Sequence, residues 1–275
     1  MTLGLPGLPA RLYPATPTRL LTWLDCPRRY RMTYLDRPAP ARGAPWAHTS
    51  IGTAVHQALS DWWALPVPER TPGSAARLVA ARWRGEGFRD HDQSARWCTR
   101  VAQEVGAYAL TQDPSSEPRG VERTVAARTP VLALSGRIDR LDERDGELVV
   151  VDYKTSRRPL ADVDARTSLA LAIYAVGAAQ VFRRPCTAVE LHHIPTGRVL
   201  RHEHTPQSLR RKVSEAESIA VDAARADAVY AAGAPDDDLF APRTGPLCGW
   251  CDFRAHCPQG AAAAAAREPW AALEP

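Results

Sequence analysis

Lysine is almost missing from this chain: Lys154 and Lys212 are the only two among 35 basic residues, and arginine supplies the rest. No apolar run approaches the ~20 residues that a bilayer-spanning helix needs, so no membrane partner is expected. The stretch from Met1 to Pro17 is rich in proline and lacks a charged start followed by an apolar core, so it does not read as a signal peptide. A large charge imbalance is absent too. The formal net charge of +4 is mild and by itself says little about a nucleic-acid partner. Together these absences point to a cytoplasmic protein, where six cysteines read as metal ligands or packed thiols rather than disulfides.

The charge that is present is clustered. Arg28, Arg29 and Arg31 form one basic knot, Arg157 and Arg158 a second, and Arg210, Arg211 and Lys212 a third. The second knot lies just after the most telling stretch of the chain. There, Leu134 to Leu141 and Leu148 to Lys154 read as two strands joined across Asp145-Gly146. That dipeptide suits a two-residue type I′ turn, in which both central residues need positive φ. With those two as the loop, Arg144 faces Glu147, and counting back sets Asp139 opposite Asp152. Directly opposed side chains leave the same face of an antiparallel pair, and Lys154 shares that face. Two facing carboxylates repel unless a cation lies between them, and Mg²⁺ binds in this way beside a phosphate. The continuous Val149-Val150-Val151 run implies a strand buried on both faces, where an uncompensated Asp is costly. An ammonium kept at 154 in an arginine-rich chain fits a tight site, because guanidinium does not replace it there. Paired acids beside a lysine suit phosphodiester hydrolysis.

Around this hairpin the pattern is helical first and mixed later. Thr18 is expected to cap a helix from Arg19, interrupted at Cys26-Pro27 and resumed over Arg28–Tyr34. Further helices are expected over Ile51–Ala64, Ser74–Phe88 and Ala95–Leu110, making 18–112 a helical half. Strands follow at Val121–Ala127, Val131–Leu141 and Glu147–Lys154. A helix over Ser168–Val181 then crosses to a parallel strand at Thr187–Ile194, closing a sheet core over 121–195. A long helix over Leu209–Ala232 and a cysteine-rich loop occupy 207–258. An alanine-rich tail fills 261–275. The fold class is α/β, a mixed β-sheet core flanked by helices in a single domain over 1–260.

The loop carries Cys248-Gly249-Trp250-Cys251 and then Cys257-Pro258, three thiolate ligands at close spacing. A closed tetrahedral sulfur site needs a fourth, and Cys26, also followed by proline, is the candidate; His256 is an alternative ligand for zinc. Spacing alone leaves zinc and iron–sulfur equally open. Cys98 and Cys186 read as ordinary thiols. Trp62, Trp63 and Trp250 are candidates to stack on single-stranded bases, with core packing the commoner use of each.

Taken in order, these segments resemble the RecB-like branch of the PD-(D/E)XK nuclease superfamily, whose iron–sulfur members include CRISPR-associated exonucleases. The resemblance rests on Cys26-Pro27-Arg28-Arg29-Tyr30, on Gly52-Thr53-Ala54-Val55-His56, on Gly136-Arg137-Ile138-Asp139, on Val151-Asp152-Tyr153-Lys154, and on the closing cysteines. It implies a restriction-endonuclease-like fold whose two ends are joined by a [4Fe–4S] cluster on Cys26, Cys248, Cys251 and Cys257. It implies that His56, Asp139, Asp152 and the Tyr153 carbonyl bind Mg²⁺ or Mn²⁺, with Lys154 assisting the attack of water. Glu122, Tyr174, Arg157 and Arg158 are supporting or substrate-contacting candidates. Where the family often carries Gln this chain has Ala170. The implied activity is a metal-dependent DNA exonuclease on single strands or ends in repair or recombination, with a separate helicase or repair protein as partner. The alternatives are a CRISPR-type exonuclease that trims DNA for spacer acquisition and a non-catalytic subunit that binds DNA ends.

Overall fold

The computed structural model describes residues 12–233 and 238–273. Residues 1–11 of the proline-rich start and the last two of the alanine-rich tail lie outside the described residues. The hairpin forms as its turn chemistry dictates. β3 (Leu132–Arg144) and β4 (Glu147–Lys154) flank Asp145 and Gly146, which take φ of 51° and 84°. The register sets Arg144 against Glu147 and Arg140 against Val151. β2 (Gly120–Arg128) runs antiparallel to β3, and β1 (Tyr13–Ala15) lies parallel to the first residues of β3. On the other side β5 (Ala188–His193) is parallel to β4, and β6 (Arg198–Glu203) is antiparallel to β5. The parallel step is made by α7 (Leu169–Phe182), the crossover helix expected from sequence.

Helices cover both faces of this mixed sheet. α3 (Ala47–Ala64), α4 (Pro72–Arg82) and α5 (His91–Leu110) pack on Val149, Val151 and Tyr153. α7 packs on Leu148, Val150 and Leu191 from the other side. β4 is therefore buried on both faces, as its valine run requires. A third cluster joins α1 (Pro17–Asp25), α2 (Pro27–Tyr34) and α8 (Pro206–Ala231) over β1 and the start of β3. A short α6 (Asp162–Thr167) and α9 (Pro258–Ala263) complete the numbered helices.

Several sequence expectations need correction. Thr16, not Thr18, caps α1: its hydroxyl accepts from the Arg19 N–H at 3.1 Å, and Pro17 supplies a preset φ in the first turn. α4 begins at Pro72 behind a reciprocal Thr71–Ser74 cap and stops at Arg82, because Trp83 is extended. α3 starts at Ala47, four residues before the expected Ile51. β1, β6 and α6 are not foreseen at all. Beyond α9 the chain packs back on the fold: the Ala47 N–H donates to the Pro269 carbonyl, and Leu273 joins the cluster on α3.

Behind the sheet runs a buried polar chain. Tyr108 donates to His192 Nδ1 at 2.7 Å, His192 Nε2–H donates to Glu190 at 2.8 Å, and Arg144 grips Glu190 at 2.7 and 3.1 Å. Burial keeps His192 below its ordinary pKa, so it is neutral, and this tautomer satisfies both of its contacts. Burial opposes the Glu190 charge, but the His192 and Arg144 hydrogen bonds outweigh it and bring its pKa down to about 2 from 4.5. A depressed carboxylate stabilises the fold above its unfolded value and loses that contribution as pH falls through its folded one. Glu190→Gln should therefore lower the urea midpoint fully above about pH 5. The gap to the parent should shrink between 4.5 and about 2; a gap constant with pH would refute the pairing.

Candidate active site and cysteine cluster

Two strands break step together at one level of the sheet. In β2, Val121 packs toward α3–α5, whereas Arg123, of the same parity, lies over the Phe182 ring on the α7 side. In β3, Ile138 packs with α7, whereas Arg140 lies over Trp63 on the opposite side. The alternation fails at Glu122 and Asp139. These face each other in register, between the pairs Val121↔Arg140 and Arg123↔Ile138, without forming a ladder pair. Glu122 has φ of 49°, a left-handed value that costs a non-glycine residue of order 1–3 kcal/mol and persists only where surroundings enforce it.

The break turns both acids toward α3. His56 Nδ1 lies 3.1 Å from Asp139 Oδ1, while Asp139 Oδ2 accepts the Tyr153 N–H at 2.7 Å. That carboxylate takes over the main-chain donor where the β3–β4 ladder ends, holding Asp139 level with Asp152. His56, Glu122 and Asp139 present donor atoms all within 4.8 Å of one another. Glu122 is also paired with Arg137 at 2.8 Å. Burial, with the neighbouring Asp139 charge, raises the Glu122 pKa against the pull of Arg137. For His56, burial works against protonation, yet the carboxylates of Asp139, Asp152 and Glu122 prevail and raise its pKa.

Asp152 lies deeper. Its Oδ2 is 2.5 Å from Lys154 Nζ but makes no hydrogen bond, and burial raises its pKa despite that ammonium. Between them Tyr153 points to the other face. There Trp63 Nε1–H donates to its hydroxyl at 3.2 Å and Arg140 approaches it at 3.4 Å. Trp63 and its neighbour Trp62 are thus core residues, and they fix the strand from behind. A buried carboxylate oxygen without a hydrogen bond, beside three converging N and O donors, suits a hard divalent cation.

The acids open onto a cleft of about 840 Å³ lined by α3 from Thr49 to Asp61, by the Thr16–Thr18 segment, and by Glu122, Asp139 and Tyr174. Asp152 and Lys154 lie outside its lining. Tyr174 reaches it because residue 136 is glycine: a Cβ there would stand 2.4 Å from the ring. Gly136→Ala should push Tyr174 out of place, with a stability loss of about 1–3 kcal/mol in urea unfolding. An unchanged midpoint would show that the ring moves freely. The paired arginines separate. Arg157 is held by Glu104 at 2.7 and 3.0 Å and lies over Trp97, so it is spent on structure. Arg158 is three-quarters exposed, with a surface pair to Asp164. Sequence reading ranked Glu122 low because only its backbone angle, and not its residue type, marks it.

The second cluster lies apart. Cys26, between α1 and α2, and Cys248, Cys251 and Cys257 line one hollow of about 350 Å³ with Met32, Pro246 and Phe253. Gly260 leaves room for the sulfurs of Cys257 and Cys248, 3.2 and 3.4 Å from where its Cβ would be. Burial raises the Cys251 pKa; the nearby Arg29 opposes this and Cys26 adds to it. His256 is turned to the Ala41 carbonyl at 3.0 Å and does not line the hollow. Cys186, with its thiol pushed up to about 12 by burial, is an inert packed residue, and burial likewise raises Cys98. Four soft donors from distant parts of the chain around one hollow form a set that fits a thiolate-bound metal.

Comparison with known proteins identifies the family. The family model of the PD-(D/E)XK nuclease superfamily matches residues 14–258. Among solved structures, the chain resembles a proposed exonuclease from Eubacterium rectale, with 11% identity, 82% of this chain and 83% of that one covered, and a TM-score of 0.49. It also resembles the protein SSO0001, with 15% identity, coverage of 90% and 87%, and a TM-score of 0.38. No curated protein matches the chain.

Proposed function

The chain belongs to the PD-(D/E)XK nuclease superfamily and is a metal-dependent nuclease; from that premise we propose that it is a DNA exonuclease acting on single strands or DNA ends in repair or recombination. The carrying observation is the convergence of His56, Glu122 and Asp139 in an open cleft, with Asp139 pinned level with the Asp152–Lys154 pair. In this reading His56, Asp139, Asp152 and the Tyr153 carbonyl hold Mg²⁺ or Mn²⁺, and Glu122 supports them. The ion, when bound, supplies a Lewis acid and a more acidic water. Asp139 fixes His56 through its other oxygen. Lys154 opposes the burial that raises the Asp152 pKa and sets an ammonium where it can orient water and offset charge on the phosphate. Tyr174 and Arg137 border the substrate path.

The cysteine set is proposed to hold a [4Fe–4S] cluster. Its support is that four thiols from distant parts of the chain line one hollow, and that the sequence resembles iron–sulfur members of the superfamily. The nuclease domain is proposed to span 1–260, with a separate helicase or repair protein supplying DNA ends.

The test is cleavage by anaerobically purified protein with Mg²⁺ or Mn²⁺ of end-labelled linear single-stranded DNA, beside closed circular strands. Cutting of linear DNA alone is the expected result. Cutting of circles would make it an endonuclease, and binding without cutting would make it an end-recognition subunit.

A further inference from the structure

A hollow of about 750 Å³ lies at the end of β4, bounded by the two elements that carry His56 and Lys154. On one side β4 runs from Lys154 straight into Thr155 and Ser156, which line it. On the other, α3 contributes His48 and Thr49, and Thr49 also lines the active-site cleft. Thr49, Gly52 or Thr53, and His56 follow one another at helical spacing on a single face of α3. Gly52, which lines the cleft, lies close to Thr155, which lines the hollow: an added Cβ would stand 3.4 Å from Thr155 Oγ1. His48 and His56 are about 12 Å apart along the helix axis, a span of a few nucleotides. The hollow therefore continues the cleft.

Its lining is aromatic and basic. Trp46 stacks on His48 with ring centres 6.0 Å apart and planes 29° apart, and Trp250 closes on both at 5.2 and 5.8 Å. Trp46 Nε1–H donates to Asp252 at 2.7 Å, which fixes the ring and occupies that acid. His48 keeps a solvent-exposed edge, and the desolvation of its packed side lowers its pKa against the charge of Asp252. Arg29 and Arg158 reach the same hollow, and among the described residues their ion pairs are with surface acids, Asp25 at 3.9 Å and Asp164 at 3.2 Å. Such pairs are worth little and yield readily to phosphate. A sequence-tolerant grip on a single strand uses these two ingredients, flat rings for bases and cations for the backbone.

We propose that this hollow is a base-stacking subsite: bases of the strand that runs through the cleft lie on the Trp46–His48–Trp250 rings, and their phosphates meet Arg29 and Arg158. The proposal rests on the nuclease reading above for the kind of ligand, and it adds where the strand goes beyond the reacting phosphate.

The experiment measures binding of a labelled oligothymidylate to the Lys154→Ala protein, so that cleavage does not enter. His48→Ala and Trp250→Ala are each expected to weaken binding roughly 5- to 150-fold, the range that stacking a base on a ring spans. Trp250→Phe should retain it. Because Trp250 adjoins the cysteines, its variants are compared at equal metal content and equal Tm; the exposed His48 carries the test if they fail to fold. An abasic nucleotide at the contacted position should cost as much as Trp250→Ala, and both together no more than either. Heparin, a polyanion without bases, should feel Arg158→Ala but not His48→Ala. Normal oligonucleotide binding by His48→Ala and Trp250→Ala, or equal weakening toward heparin, would overturn the subsite. Wild-type cleavage with normal binding by these variants would leave the nuclease reading standing and remove the subsite; the reverse pattern would do the opposite.

Discussion

Lys154→Ala should abolish DNA cleavage, with a loss of roughly 10³-fold or more, while binding of DNA survives. Positioned proton transfer alone is worth ~10²–10⁴ in rate, and this substitution removes more than one contribution. The ammonium lies 2.5 Å from Asp152 Oδ2, a buried oxygen without a hydrogen bond. Deleting it removes the main charge that opposes burial, which shifts Asp152 further toward its protonated form and weakens it as a cation ligand. Asp152→Asn, which keeps shape and loses charge, should fail equally, and both variants should show weakened Mn²⁺ affinity by calorimetry. Lys154→Arg should rescue poorly, because a planar guanidinium does not occupy the place of a compact ammonium beside Asp152. Full activity in Lys154→Ala or Asp152→Asn would remove the catalytic assignment.

Cys26→Ser should be the most damaging single change to stability, although Cys26 belongs to neither the sheet nor the cleft. If the four thiols hold a cluster, its binding free energy is also folding free energy. Loss of one ligand should then empty the site, lower Tm by roughly 10 °C or more, and expose 240–258 to protease. Iron and sulfide in near-equal amounts in the parent, and neither in the variant, is the expected analysis. Zinc in the parent would replace the cluster with a tetrahedral site; retained metal and Tm in the variant would exclude Cys26 as a ligand.

The hairpin was legible because its determinants are local: Asp145-Gly146 sets the turn, and the turn sets the register as far as Arg140 against Val151. The valine run and the crossover helix were readable for the same reason. The direct opposition of Asp139 and Asp152 expected from that count is not a ladder pair, because β3 changes face at Asp139, whose carboxylate takes the Tyr153 N–H instead. What escaped depends on distant partners. β1 is three residues long and exists only by lying along β3. β6 buries one leucine, Leu200, among exposed neighbours, too little to signal a strand. Arg157 and Arg158 look alike in sequence, and Glu104 and Trp97 on α5 decide which one is occupied. Glu122 is a partial case: the sequence offers it only as a supporting candidate, and its placement rests on a positive φ matched to a break in the strand beside it. His56 gains meaning only from its place opposite Asp139, which the resemblance supplied and periodicity did not.

The meeting of the first and last parts of the chain has a consequence for synthesis on the ribosome. Arg19, Tyr13 and Tyr30 are satisfied by Asp227 on α8, at 2.7 to 3.1 Å, and Cys26 by company with Cys248, Cys251 and Cys257. Roughly two hundred residues or more separate these partners. At translation speeds of ~5–20 residues per second the opening helices wait roughly ten seconds or longer for them. Through that interval the apolar faces of α1 and α2 and the thiol of Cys26 are open to solvent and to chaperones. Slowed translation ahead of α8 should therefore cost more soluble protein than the same pause placed after residue 257.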